Sequence, residues 1–289
     1  MLAMKWLTAL LLSSLLPSLA NAQCAQQSLR IAVIPNTNKP LDVMQREYQP
    51  LLSLLQTELN LPVELVPAST SYESVVDAVV SGGVDIAWLG PASYIMAHRR
   101  DPRVEPFASL TISPGYFTPA GHHYQSLLLT RRGTFGHIKD LRGTQIALSD
   151  PASTSGSMVP NVEFSAHIGV PLTGFFSSVV YAGSHDKSLD KLLEGKVQAA
   201  FVASVEVDAY LRNGRINQDT FDVLWRSRPI YYSPYVFSGS LCPALKERVR
   251  FAMLNNQKTL SAFLDNQDAT GLVPASHAEY ESLQRMLEQ

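Results

Sequence analysis

The chain is 289 residues long, 46% hydrophobic and 17% charged, with a formal net charge of −2. That balance excludes the Lys/Arg footprint of a nucleic-acid-binding protein, and the length allows a large core divided between two lobes. Two cysteines, Cys24 and Cys242, lie too far apart in sequence to carry a metal-site spacing.

Residues 1–22 join a positive charge at Lys5 to the apolar run Trp6-Leu7-Thr8-Ala9-Leu10-Leu11-Leu12 and end in Ala20-Asn21-Ala22. This pattern predicts a secretory signal peptide cleaved after Ala22, rather than a membrane span. Gln23 is a poor residue to precede a lipidated Cys24. No later stretch approaches the roughly 20 apolar residues that a spanning helix needs. Export permits a disulfide between the two cysteines. Cys24 would lie at the frayed new terminus, which weighs against that bridge without excluding it.

Beyond the leader, hydrophobic periodicity predicts alternating strands and helices. Residues 29–34 read as a strand closed by Pro35-Asn36. Met44, Tyr48, Leu51, Leu52, Leu55 and Leu59 recur at helical spacing until Pro62 stops them. A second strand spans 63–66, and Tyr72, Val75, Val76, Val79 and Val80 stripe a second helix that ends at Gly82-Gly83. A third strand covers 84–88, and Pro91 opens the next helix at a favourable first-turn position. Residues 104–112 and 124–130 read as extended. Between them, 113–121 is rich in breakers and marks a crossover. Then come a strand at 145–148, a helix over 158–168, a strand around 179–181 and a helix carrying Leu189, Leu192 and Leu193. A strand at 198–202, a helix over 204–211 and an extended segment at 221–225 lead to a second crossover at 228–234. From Pro243 the tail reads as helical throughout, on Leu245, Val249, Met253, Leu260, Leu264, Tyr280, Leu283 and Met286.

Such alternation predicts an α/β fold of mostly parallel sheets flanked by helices. The two crossovers place 23–116 plus 230–289 in lobe one and 117–229 in lobe two, an arrangement suited to domain closure on a ligand.

In open α/β sheets, ligands bind beyond the carboxyl ends of the strands. Those ends read Pro35-Asn36-Thr37-Asn38, Ser69-Thr70-Ser71-Tyr72, Gly90-Pro91-Ala92-Ser93-Tyr94 and Gly183-Ser184-His185-Asp186. The richest is Ser149-Asp150-Pro151-Ala152-Ser153-Thr154-Ser155-Gly156-Ser157, between a strand and a helix. Hydroxyls there join unpaired helix-start N–H groups in a seat suited to a small anion. An ordinary N-cap turn is the plainer reading of that stretch alone. The repetition of such equipment at several strand ends favours the anion.

Three blocks carry a family resemblance. Gly83-Val84-Asp85-Ile86-Ala87-Trp88-Leu89-Gly90-Pro91-Ala92-Ser93-Tyr94 resembles the first signature of the phosphate/phosphite/phosphonate-type (PhnD-like) periplasmic solute-binding proteins. Asp140-Leu141-Arg142-Gly143, leading to Asp150-Pro151-Ala152-Ser153-Thr154-Ser155-Gly156 and Pro160, is similar to the second. Gly183-Ser184-His185-Asp186, with Leu189 and Gly195-Lys196-Val197, resembles the third. The resemblance implies a two-lobed type II periplasmic binding fold with its ligand cleft between the lobes. It also implies an ABC importer's membrane permease as partner. Ser153, Thr154, Ser155 and His185 would hold the oxyanion, Tyr72 would close over it, and Tyr94 and Tyr124 would approach from the same face. Members that take aminoalkylphosphonates have carboxylates meeting the ammonium group. Here the corresponding places hold Val205 and Ser233, with Glu206 one residue away. That departure favours a small inorganic oxyanion such as phosphite or phosphate.

Other constellations are weak. His122, His123 and His137 have only Asp140 as a nearby carboxylate and read as a solvated loop, so no metal site is expected. Ser184-His185-Asp186 are adjacent in sequence and cannot fold back as a triad. G-x-S-x-G, H-E-x-x-H and G-x-x-x-x-G-K-[ST] are absent. The resemblance implies, and the missing motifs agree with, the expectation of a monomeric periplasmic binding protein that captures a small oxyanion for an ABC importer, with no enzymatic activity, cofactor or catalytic residues expected. A sensory subunit that presents the bound anion to a membrane receptor kinase fits the same residues.

Overall fold

The computed structural model describes residues 24, 26–66 and 71–288. The predicted leader and its cleavage site, and the strand-end residues Ser69 and Thr70, lie outside that range. None of the helices among the described residues is long and apolar enough to cross a membrane.

Two sheets organise the chain. The first contains β1 (Leu29–Val33), β2 (Val63–Leu65), β3 (Ile86–Trp88), β4 (Glu105–Ile112), β12 (Pro234–Phe237) and β13 (Ala269–Pro274), in the order β13-β4-β12-β3-β1-β2. The second contains β6 (Ser126–Arg131), β7 (Gln145–Leu148), β8 (Ser178–Tyr181), β9 (Ala199–Ala203) and β10 (Phe221–Arg226), in the order β10-β6-β9-β7-β8. A two-stranded ribbon of β5 (His123–Tyr124) and β11 (Ile230–Tyr231) joins the two passages of chain between them.

The sheets are mixed rather than mostly parallel. Pairing is parallel where a helix returns the chain to the same edge, as in β2-β1-β3 and β8-β7-β9. It is antiparallel where strands enter or leave a sheet through the crossovers, at β6, β10, β12 and β4. The strand β12 inserts between β3 and β4, so the first sheet is completed only after the second has been built.

Apolar spacing explains the packing. Helix Leu41–Leu59 buries Tyr48, Leu51, Leu52, Leu55 and Leu59 on one face, and Asn60, in the left-handed region at φ 51°, ends it. Strands of the second sheet are apolar on both faces. Leu127, Leu129 and Val202 pack on one side, and Leu128, Leu148 and Phe201 on the other. This is the two-residue alternation of strands covered on both sides.

Three further expectations change. The tail is not helical throughout, because β13 follows helix Ser261–Asn266 and pairs antiparallel with β4. Asp268 at φ 52° breaks the helix there, and Pro274 is tolerated because the strand lies at the sheet edge. The segment predicted as a helix over 158–168 begins earlier, as two wide π turns, Thr154–Met158 and Pro160–Phe164, before the short α-helix Ser165–Ile168. Cys24 is not frayed. It forms a disulfide with Cys242, the N-cap of helix Pro243–Asn255, and so ties the segment just before β1 to the segment that follows β12.

Candidate functional site

The carboxyl ends of β7, β8 and β9 face the carboxyl ends of β1 and β3 across a cleft. From one side comes the turn after β7. Its Ser153 side chain caps the π turn by accepting the Gly156 N–H at 3.2 Å, and the Met158 N–H donates five residues back to the Ser153 carbonyl. Turns this wide are uncommon and recur at functional sites. Ser126 Oγ donates to the Ser155 carbonyl at 2.6 Å and braces the turn from below. Gly156 leaves no room for a side chain, since a Cβ there would meet Ser149 Oγ and approach His185 Cε1 to 2.9 Å.

His185 opens helix His185–Leu193 and is buried. Its Nδ1 accepts the Ala203 backbone N–H at 3.2 Å. A backbone N–H can only donate, so the neutral ring carries its proton on Nε2. Ser149 Oγ then donates to Nδ1 at 2.9 Å, while Nε2–H faces Ser153 Oγ at 3.3 Å. Burial holds the His185 pKa down to about 4 against the opposing pull of Asp186, so the ring is neutral at pH 7. Ser153 Oγ thus already accepts from Gly156 and His185, and its own hydroxyl proton is left to give.

The opposite wall comes from the first sheet and the β5–β11 ribbon. Tyr72 begins helix Tyr72–Val80 and is 1% exposed. Its hydroxyl is buried with no hydrogen-bond partner in bonding geometry, although Ser153 is close enough to act on its ionisation. Tyr124, on β5, is also buried. Burial pushes its pKa up to about 12 while hydrogen bonding from Ser155 and Thr154 pulls the other way. Several bonds cross directly between the walls. The Ala92 N–H donates to Thr154 Oγ1 at 2.9 Å, Ser93 Oγ to the Ala152 carbonyl at 2.9 Å, and the His185 N–H to the Asn36 carbonyl at 3.0 Å.

These groups surround a cavity of about 30 Å³ lined by Tyr72, Tyr124, Ser153, Thr154, Ser155 and His185. Among the described residues, no lysine or arginine lines it. A larger chamber of about 270 Å³ shares walls with it, including Asn36, Trp88, Val205, Glu206 and Tyr232.

Six of the seven residues expected at the site therefore lie around one cavity. Tyr94 does not, and that expectation is corrected. Tyr94 lines neither compartment. Its hydroxyl pairs with His277 Nδ1 at 2.7 Å, and its ring packs edge-on against Tyr280. On helix Pro91–Arg100 its side chain turns away from the helix start that faces the cleft. Glu206 is a second correction. Val205 and Ser233 do line the small cavity, but Glu206 lines it too, beside Val205 and donated to by Asn36 Nδ2 at 2.8 Å. Burial raises its pKa to about 7. The cleft therefore contains a carboxyl group, and the ground for excluding an amine-bearing ligand falls away. Trp88 and Tyr232 were also missed as wall residues. Trp88 sits at the end of a predicted strand and could have been found by that rule. Tyr232 lies in the crossover at 228–234, where nothing in the local pattern points inward.

Residues 31–280 match the family described as "ABC transporter, phosphonate, periplasmic substrate-binding protein". This chain belongs to that family. As a phosphonate-family binding protein it is the periplasmic substrate-binding component of an ABC transporter, a class that binds its substrate and does not transform it. The chain is 25% identical over 290 residues to the phosphate-import protein PhnD of Mycolicibacterium smegmatis, covering 93% of this chain and 88% of that protein. Among solved structures it is similar to a binding protein component of an ABC phosphonate transporter from Pseudomonas aeruginosa. That match has 18% identity, a TM-score of 0.78, and coverage of 90% of this chain and 85% of that one. It is also similar to PhnD1 of Prochlorococcus marinus in complex with methylphosphonate, with 20% identity, a TM-score of 0.75, and coverage of 90% and 97%. Both share the type II periplasmic binding fold.

Proposed function

We propose that this phosphonate-family protein seats the oxyanion head of a phosphorus compound (phosphate, phosphite or a phosphonate) in the small cavity and delivers it to a membrane permease. The observation that carries this reading is the convergence of the Ser153, Thr154 and Ser155 hydroxyls and the two tyrosines on one cavity, with His185 Nε2–H set behind Ser153 and no cationic side chain among the described residues. Neutral donors to a charged acceptor contribute about 1.5–3 kcal/mol each, and the helix ends that meet there add roughly 0.3–1 kcal/mol. Three or four such donors reach about micromolar affinity without a salt bridge. The residues 23–116 plus 230–289 and 117–229 act as the two lobes, with the β5–β11 ribbon at their junction. Thr154, Asn36 and His185, bonded across the cleft, hold the closed form.

A thermal-shift and calorimetric screen with phosphate, phosphite, methylphosphonate and sulfate tests the reading. A bound anion at about 100 times its Kd adds about 2.7 kcal/mol of stability, and the phosphorus anions are expected to do so in preference to sulfate. If none of the phosphorus anions binds, the reading is wrong.

A further inference from the structure

We propose that residues 113–120 form a strap that limits how far the two lobes can open, with Phe117 as its anchor. This rests on the two-lobe reading above and concerns the junction between the lobes rather than the anion seat. The strap leaves the first sheet at Ile112, the end of β4, and returns to it at Gly121. At its base the Ile112 N–H donates to the Gly121 carbonyl at 2.7 Å, and the Gly121 N–H to the Ile112 carbonyl at 3.2 Å. Ends closed in this way make a compact surface loop. The chain beyond it stays with lobe one through the ribbon. There the Tyr232 N–H donates to the His122 carbonyl at 3.0 Å, and Tyr280 Oη to the Tyr232 carbonyl at 2.9 Å. Residues 113–120 are therefore an excursion from lobe one, not the route by which the chain enters lobe two.

The tip of the excursion is buried in lobe two. Phe117 is 3% exposed and packs in the apolar cluster that holds Leu127, Leu129, Val202 and Phe221. Lobe-two side chains also take up both of its backbone polar groups. Its N–H donates to Asp208 Oδ1 at 2.9 Å, and its carbonyl accepts from Arg226 Nη1 at 3.0 Å. Thr118 Oγ1 donates to Ser204 Oγ at 2.9 Å, and the same oxygen accepts the Gln125 N–H at 3.1 Å, where the chain does cross. A Cβ at Gly115 would overlap the Asp208 carboxylate, so glycine is required for this close approach.

Releasing the tip would expose a phenylalanine to water and leave a buried carboxylate without its donor, so the tip stays docked when the cleft opens. Between the two attachments lie residues 113–116 on one leg and only 119–120 on the other, with Pro114 and Pro119 stiffening them. A leg of two residues has little slack, and the lobes separate there only as far as it reaches. A narrower range of open forms raises the share of closed molecules, and with it the apparent affinity.

The test measures distances by electron–electron double resonance between spin labels at Gln45→Cys, on helix Leu41–Leu59, and Lys187→Cys, on helix His185–Leu193. Both positions are exposed, one in each lobe. Two glycines inserted between the exposed residues Pro119 and Ala120 leave Phe117 and its partners in place and add up to about 7 Å of reach. In the ligand-free protein this insertion is expected to push the long-distance edge outward by at least about 3 Å. Phe117→Ala, which frees the tip, should do the same. Methylphosphonate affinity, by isothermal titration, should fall about threefold in each variant. The insertion variant, with its core intact, should melt within a degree or two of wild type, which separates a loosened strap from a misfolded lobe. Unchanged distances in the folded insertion variant overturn the proposal. If wild type binds methylphosphonate or inorganic phosphate and its distance distribution does not narrow, the lobes do not close, and the two-lobe reading falls together with the strap. If neither anion binds, the oxyanion reading fails, while the ligand-free distances still decide the strap.

Discussion

Replacing Ser153 with alanine separates anion binding from simple turn capping. In the structure Ser153 Oγ accepts from the Gly156 N–H at 3.2 Å and from His185 Nε2 at 3.3 Å, which leaves its own proton for the ligand. Ser153→Ala removes that donor from the charged oxygen, a loss of about 1.5–3 kcal/mol in binding. This corresponds to roughly 10- to 100-fold weaker affinity for methylphosphonate. The same change removes the cap, which lowers the stability of the free protein by about 0.5–2 kcal/mol. Calorimetric titration gives the first quantity, and urea unfolding without ligand gives the second. An affinity within twofold of wild type, alongside the expected loss of stability, would show that Ser153 only caps a turn. The donor geometry assigned to the seat would then be wrong.

Two buried titrating groups give opposing pH dependences. His185 has its pKa depressed from 6.5 to about 4, so it holds fewer protons folded than unfolded in that window, and its contribution to stability falls as pH drops from 6.5 towards 4. Glu206, raised from 4.5 to about 7, holds more protons when folded, and its contribution falls as pH rises from 4.5 to 7. Urea unfolding across pH 4.5–7 should therefore show a steeper rise in stability with pH for Glu206→Gln than for wild type, because His185, together with His122 and His277 whose burial also lowers their pKa, is then no longer opposed by the glutamate. Cys24→Ser should lower unfolding stability by about 2–4 kcal/mol, read by thermal melting, and added reductant should have the same effect on wild type but none on the variant. Tyr94→Phe loses the bond to His277. It should cost about 1 kcal/mol of stability and leave anion affinity, measured by titration, unchanged.

Much of this site could be read from residue order because its chemistry is local. A hydroxyl-rich turn between a buried strand and a helix start points its donors outward wherever the sheet stands. Ser153, Thr154, Ser155 and His185 lie on such turns, and they come together because β7, β8 and β9 are neighbours in one sheet. Tyr94 looked equivalent, one turn into a helix that starts at the cleft. The helix's rotation, fixed by the apolar packing of its other face, sends the ring to His277 and Tyr280 instead. β13 was hidden for a related reason. Its six residues are too short to show a period of their own beside helical leucines, and they become a strand only because β4 offers an open edge.

From order and spacing alone came the alternation of strands and helices, the crossovers, the family signatures and the polar strand ends, since each depends on neighbours along the chain. Only the tertiary structure decided the Cys24–Cys242 bridge, the placement of Glu206 and Tyr232 in the wall, and the division of the cleft into a tight seat and a wider chamber. Those features depend on how two sheets approach each other. Contacts between segments more than a hundred residues apart leave no periodic trace in either segment.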